Sequence, residues 1–183
     1  MKYYSNLQND KIIKQHKIID LNADEADENN LENFNNKLIF SSGTPQLSCG
    51  KHQWGALYNP KNSKSTIYVE SISVVNFSSL PIIQSQYLNP KINYEGFKYM
   101  YGYSNSLEYN LNSNGVVIFY QGNDNVLFPN EANLLKISQP FYTDNSQKQG
   151  NIIIPPGKSI LILVNTMDLS NPSCAISYSW WEE

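Results

Sequence analysis

Arginine is absent: all 13 basic residues are lysine, set against 16 acids for a formal net charge of −3. Arginine is the favoured fork-shaped partner of phosphate and guanine, and no lysine cluster takes its place. The densest basic stretch, "KIIKQHK" at 11–17, runs straight into acidic "DLNADEADE". Nucleic acid is therefore not expected as a partner. Long apolar runs are missing too. "ILILV" at 160–164 falls far short of the roughly 18 residues of a membrane-crossing helix, so no membrane partner is expected. The opening "MKYYSNLQND" carries one lysine with no apolar stretch behind it, unlike a secretory signal. The expected location is the cytoplasm of the producing cell before release, or an outer cell surface reached without a classical signal peptide.

Residues able to exchange protons or attack a substrate are equally scarce. The two histidines are His16 and His52, and the two cysteines Cys49 and Cys174. "SCGKH" places Cys49 three residues before His52, but positions i and i+3 of an extended strand point to opposite faces. Only a tight turn at Gly50 would bring thiol and base together. Cys49, His52 and Cys174 make at most three of the four ligands a structural zinc takes. No nucleophile elbow, dinucleotide fingerprint or phosphate loop is present, and the acids outside residues 1–36 are scattered. No catalytic residue, metal or cofactor is assigned, and the chain reads as a non-enzyme. The two cysteines are open to two readings: buried small hydrophobes, or a disulfide within the chain or to a neighbour.

What the 183 residues do hold is tyrosine, 13 against 7 phenylalanines, together with recurring asparagine. Tyrosine favours strands and asparagine favours turns, a pairing that suits many short strands joined by polar connections. Residues 1–36 differ: they are rich in Asn, Asp, Glu and Lys, with isolated pairs Ile12-Ile13 and Ile18-Ile19. We read them as an N-terminal arm whose isoleucines are candidate anchors on a neighbouring subunit.

From 37 to 183 strand follows strand. Candidates lie at 37–41, 53–59, 66–78, 81–88, 96–104, 115–121, 125–129, 151–155, 158–165 and 173–181, with "ANLLKIS" (132–138) ambiguous between a strand and one helical turn. Turn signals recur every 8–15 residues and helical periodicity is scant. This predicts an all-β fold, a single jelly-roll-like antiparallel β-sandwich behind the arm. In "TIYVESISVVNFS" (66–78) the apolar register slips near Ser71, which predicts a bulge or a crossing between sheets.

Two segments raise the question of cover. "ILILV" does not alternate, so both of its faces must be sheltered. In "SCAISYSWWEE" (173–183), Cys174, Ile176, Tyr178 and Trp180 share one face and small residues share the other. The arm or a neighbouring copy is the expected second layer in both cases. "GFKYMYGYS" (96–104) lines Phe97, Tyr99, Tyr101 and Tyr103 along one face. That ladder reads as a half-buried sheet face, a subunit contact or a sugar platform, with Trp54 and Trp181 as further candidate contacts.

At "WGALYNP" (54–60), "ISVVNFSSLPIIQSQYL" (72–88), "IIIPPGKSILILVN" (152–165) and "SYSWWEE" (177–183), the chain resembles an uncharacterised family of small all-β proteins from spore-forming Firmicutes. These share a Trp–Leu–Asn-Pro strand end, a "PPG" bend and a Trp-Trp-Glu-Glu finish. In layout the chain is also similar to the subunits of endospore appendage fibres, a single jelly roll behind an N-terminal arm. That resemblance implies an arm crossing to a neighbour and cysteines tying subunits together. Here the arm lacks cysteine, so a covalent link would use Cys49 or Cys174. The resulting expectation is a structural, self-assembling subunit of a spore-surface or appendage-like fibre, a homo-oligomer or filament joined through strand edges, the tyrosine face and the arm. The alternatives are a carbohydrate-binding β-sandwich and a virion- or tail-associated jelly roll.

Overall fold

The chain was analysed as a computed structural model, which describes residues 37–48, 50, 52–104, 112–122, 132–166 and 171–183. The arm of 1–36 with Ile12, Ile13, Ile18 and Ile19, Cys49, and the strand expected at 125–129 lie outside the described residues. Alternating side chains and polar turns yield ten strands: β1 (Phe40–Gly43), β2 (His52–Tyr58), β3 (Ile67–Asn76), β4 (Ile82–Leu88), β5 (Lys98–Ser104), β6 (Asn112–Gly122), β7 (Leu134–Ser138), β8 (Thr143–Ile154), β9 (Ser159–Thr166) and β10 (Cys174–Glu182). They form one antiparallel sheet in the order β7-β4-β9-β2-β6-β5-β1-β10-β3-β8, rolled into a nearly closed, barrel-like sandwich.

Setting β5 and β6 aside exposes the logic of the roll. The remaining strands pair first with last: β1 with β10, β2 with β9, β3 with β8 and β4 with β7. Such nested pairing is the jelly roll. The β5–β6 hairpin is an insertion that joins β2 to β1, so one side of the sandwich is continuously hydrogen-bonded. On the other side β7 and β8 are the sheet's two ends, and side chains alone bridge them. Asp144 there accepts from Lys136, from Ser138 Oγ at 2.7 Å and from Gln84 Nε2 at 3.3 Å. Burial alone would raise the Asp144 pKa, but the Lys136 and Ser138 hydrogen bonds, the Lys136 charge and Gln84 outweigh it and hold it lowered.

The expected register slip is real. Ser179 pairs with Ser71 and Trp180 with Val69, leaving Glu70 as the extra residue of a bulge. The bulge lets Ile67 and Val69 before it, and Ile72 and Val74 after it, all point into the core. They meet Leu57, Ile160, Ile162 and Val164 from β2 and β9.

The ambiguity of "ANLLKIS" resolves to a strand, its Leu134–Ser138 being β7. One expectation needs correction: neither questioned segment needs a second copy. The inner face of "ILILV" (Ile160, Ile162, Val164) belongs to the main core. Its outer face (Leu161, Leu163) packs with Trp54, Ala56 and Ile118 beneath Ile92, Tyr94 and Phe97, which the β4–β5 connection folds back over β9, β2 and β6. The chain shelters itself. On β10 the small-residue face turns to solvent at Ser177, where polar side chains need no cover, while Trp181 is covered by the chain's own Gly150 and Tyr68.

The Trp-Trp-Glu-Glu ending has a physical reason. Trp180 is fully buried and donates its indole N–H to Ser113 Oγ (3.1 Å) and Glu182 Oε1 (3.2 Å). Glu182 also accepts from Ser113, from the Gly115 N–H at 3.2 Å and from Asn114 Nδ2 at 2.9 Å, tying β10 to the start of β6. Burial alone would raise the Glu182 pKa, but these hydrogen bonds outweigh it and hold the carboxyl below its ordinary 4.5. A carboxyl depressed on folding stabilises the native state above its unfolded pKa and loses that contribution as pH falls through the lower folded value. Acidification below about pH 4.5 should therefore lower the urea midpoint more steeply in wild type than in Glu182→Gln. Parallel slopes in the two proteins between pH 6 and pH 3 would show that Glu182 is not so held.

Candidate functional site

The residues singled out from the sequence part company in the structure. Trp54 is fully buried and Trp181 only 4 % exposed, so neither is a surface contact. Trp54 fails as one because the β4–β5 connection lies over it, with Phe97, Tyr120 and Tyr94 rings 5.1, 5.9 and 6.2 Å away. Phe97 is half-buried in the same cluster. Tyr99, Tyr101 and Tyr103 do stand out from β5, about half exposed, because the opposite face of β5 carries Gly102 against the Trp180 indole. A Cβ at residue 102 would overlap Cζ2 and Cη2 of that ring. The Tyr99 and Tyr101 rings meet edge to face, 5.3 Å between centroids and 84° between planes. They share no plane on which a sugar ring could stack.

Cys174 is a free, buried thiol whose Sγ donates to Gln53 Oε1 at 3.3 Å. Burial pushes its pKa up to about 12, the state of an inert core thiol, not of a nucleophile. His52 Nδ1 lies 3.2 Å from Asn165 Oδ1. Among the described residues, no group of three or more His, Cys, Asp or Glu is placed to hold a metal. No helix there is long and apolar enough to cross a membrane.

Two features lie at opposite ends of the sandwich; the sequence showed part of the first, the Phe97, Tyr99 and Tyr101 ladder, and the second went unread. The first is an open groove of about 720 Å³ on the outer face of β2, β6 and β5. Tyr58, Tyr94, Phe97, Tyr99 and Tyr101 line it, over a floor of Val116 and Ile118. The β4–β5 connection fixes one wall: Tyr94 packs 5.1 Å from Tyr58 and its hydroxyl lies 2.8 Å from Ser159 Oγ. Burial raises the Tyr94 pKa to about 12, so the phenol is neutral at any physiological pH.

The second is an apolar apex beyond the ends of β3 and β7. Phe77 and Leu80 from the β3–β4 connection stand beside Phe141 and Tyr142 from the β7–β8 turn, between 41 % and 75 % exposed. Buried Asn76 fixes both loops: its Nδ2 donates to the Leu80 and Gln139 carbonyls at 2.9 Å each, and its Oδ1 accepts from the Ser78 N–H at 2.8 Å. Its backbone N–H donates to the Tyr142 carbonyl at 2.9 Å. Phe141 sits at φ 51°, a left-handed conformation costly for a bulky aromatic. The turn thus holds the most exposed large apolar side chain among the described residues outward on a strained but braced backbone. Ile137 on β7 is also exposed. The signal was present in "NFSSLP" and "QPFYT", turn chemistry interleaved with aromatics that a strand reading passes over.

Comparison with curated proteins and with solved structures yields no match in either set. Residues 28–183 match a family of unknown function, DUF6143, and the chain belongs to that family.

Proposed function

We propose that this protein is a self-assembling structural subunit, a jelly roll that docks on other copies of itself. The observation that carries this is the braced apex. Exposed apolar clusters on soluble domains mark protein contacts, and backbone strain at such a cluster marks a site held for use. The reading no longer draws on sheltering "ILILV", which the chain covers itself. A spore- or cell-surface fibre is the setting that suits a subunit without chemical motifs. The carbohydrate reading is the weaker one, because the edge-to-face Tyr99–Tyr101 pair offers no flat platform.

Concentration-dependent association of the full chain is expected in sedimentation velocity, with elongated particles under negative stain. Burying an aromatic ring contributes about 1.5–3 kcal/mol, so Phe141→Asp should weaken association by roughly 10- to 100-fold. A wild-type chain that stays monomeric up to millimolar concentration would sink the proposal.

A further inference from the structure

We infer that the seam between β7 and β8 binds a small monovalent inorganic anion such as chloride, seated beside Lys148 and Lys136. The site lies inside one subunit and does not depend on self-assembly.

Register comes first. Gln84 and Gln86 pair with Val164 and Ile162, so both amides turn to the inner face. On β7, Lys136 lies beside Gln84 and Leu134 beside Gln86. Across the seam, Asp144 pairs with Val74 and Ser146 with Ile72, and strand alternation puts Lys148 on the same inner face. These side chains meet in a slot of about 30 Å³ over Ile72, Val74 and Ile162. At one end the Asp144 carboxylate accepts from Lys136, Ser138 and Gln84. The other end has donors and no acceptor of matching charge. There the side chains of Gln86, Ser146 and Lys148 make no hydrogen bond or ion pair with the described residues.

Charge is the second argument. The slot's charged members are Lys136, Lys148 and Asp144, two ammonium groups against one carboxylate. Asp144 is engaged by Lys136, which leaves Lys148 with a like charge nearby and no counter-charge. Burial first, and then the Lys136 charge, hold the Lys148 pKa below its ordinary 10.5. An anion beside Lys148 offsets both effects, and the Gln86 amide and Ser146 hydroxyl can complete its coordination. A water molecule would satisfy the amide and the hydroxyl but bring no charge. Size then selects the ion. About 30 Å³ is one water molecule's share of the liquid, room for a halide and not for a phosphate or a partner's carboxylate side chain. Lys136 is 44 % exposed, so the slot opens to solvent and the ion exchanges freely. Binding should therefore be weak, and strongest where the seam is shut.

The test is thermal melting of the full chain in sodium chloride and in sodium gluconate at equal ionic strength, gluconate being too large for the slot. Wild type should melt about 2–4 °C higher in about 200 mM chloride, the shift for a roughly fivefold gain in the folded-to-unfolded ratio. Bromide should act as chloride does, and should give an anomalous-scattering peak beside Lys148 in a crystal. Lys148→Met keeps the aliphatic stem and removes the charge, so its midpoint should be the same in both salts. Lys148→Gln takes its place if circular dichroism shows that the methionine variant is misfolded. Equal wild-type midpoints in the two salts would mean that water alone serves the slot, and would overturn the inference. A chloride dependence that persists in a folded Lys148 variant overturns it too, because the ion then sits elsewhere.

Discussion

Replacing Trp180 with alanine should destabilise the sandwich by about 3–5 kcal/mol, the range for large aromatic truncations in cores, and lower the melting temperature by roughly 10 °C or more. The indole is fully buried, lies 6.4 Å from the Phe40 ring and fills the space that Gly102 leaves on β5. It also donates to Ser113 and Glu182, so the truncation opens a cavity and removes one donor from each of two acceptors that keep other partners. Trp180→Phe restores most of the volume but no N–H, and should cost about half as much. Urea unfolding of the three proteins separates the packing and hydrogen-bond contributions. A Trp180→Ala variant that unfolds at the wild-type midpoint would mean the β5–β1–β10 wall is held by something else.

Asn76→Ala is expected to cost about 2–4 kcal/mol, because it leaves three backbone groups of the apex loops without partners. Asn76→Asp is more instructive. The carboxylate still accepts from the Ser78 N–H but faces the Leu80 and Gln139 carbonyls with no hydrogen to give. It should be at least as unstable as the alanine variant at pH 7. It should recover in part as acid protonates the carboxyl, since a group whose pKa is raised on folding contributes stability below that pKa and loses it above. Thermal melts from pH 7 to pH 4 read this out, and an Asn76→Asp melt that only falls with acid contradicts the assignment. Both variants should also weaken self-association, although neither residue change touches the exposed rings.

The fold was legible where the inside of the sandwich is apolar. β3 and β10 follow the alternation rule, β9 shows its two covered faces as an unbroken apolar run, and even the Glu70 bulge shows as a change of phase. At the open seam β7 was left ambiguous and the first part of β8 was missed, because both invert that rule. In β7, Lys136 and Ser138 turn inward to Asp144 while Leu135 and Ile137 face out. In β8, polar "TDNSQKQG" is strand from Thr143 onward, since its inward residues Asp144 and Lys148 line a polar slot. Periodicity assigns such residues to loops. Of the groove, Phe97, Tyr99 and Tyr101 showed as a ladder, but its other walls come from three separate connections, and the apex comes from two turns that only the nested topology brings together. Conversely Trp54 and Trp181 looked like contacts, because a lone tryptophan in a sequence does not reveal which later segment folds over it.

The roll resembles a bound book. Its spine is the β5–β6 hairpin, stitched to both covers by main-chain ladders; its fore-edge, between β7 and β8, is held by one clasp around Asp144. Thermal opening should start at that clasp and leave the spine shut, so amide protons of β7 and β8 should exchange before those of β2 and β6. The β3–β4 connection that carries Phe77 and Leu80 crosses from one cover to the other, and so does the β7–β8 turn that carries Phe141. A partner gripping all three would press the covers together, making the domain harder to open in that contact than alone.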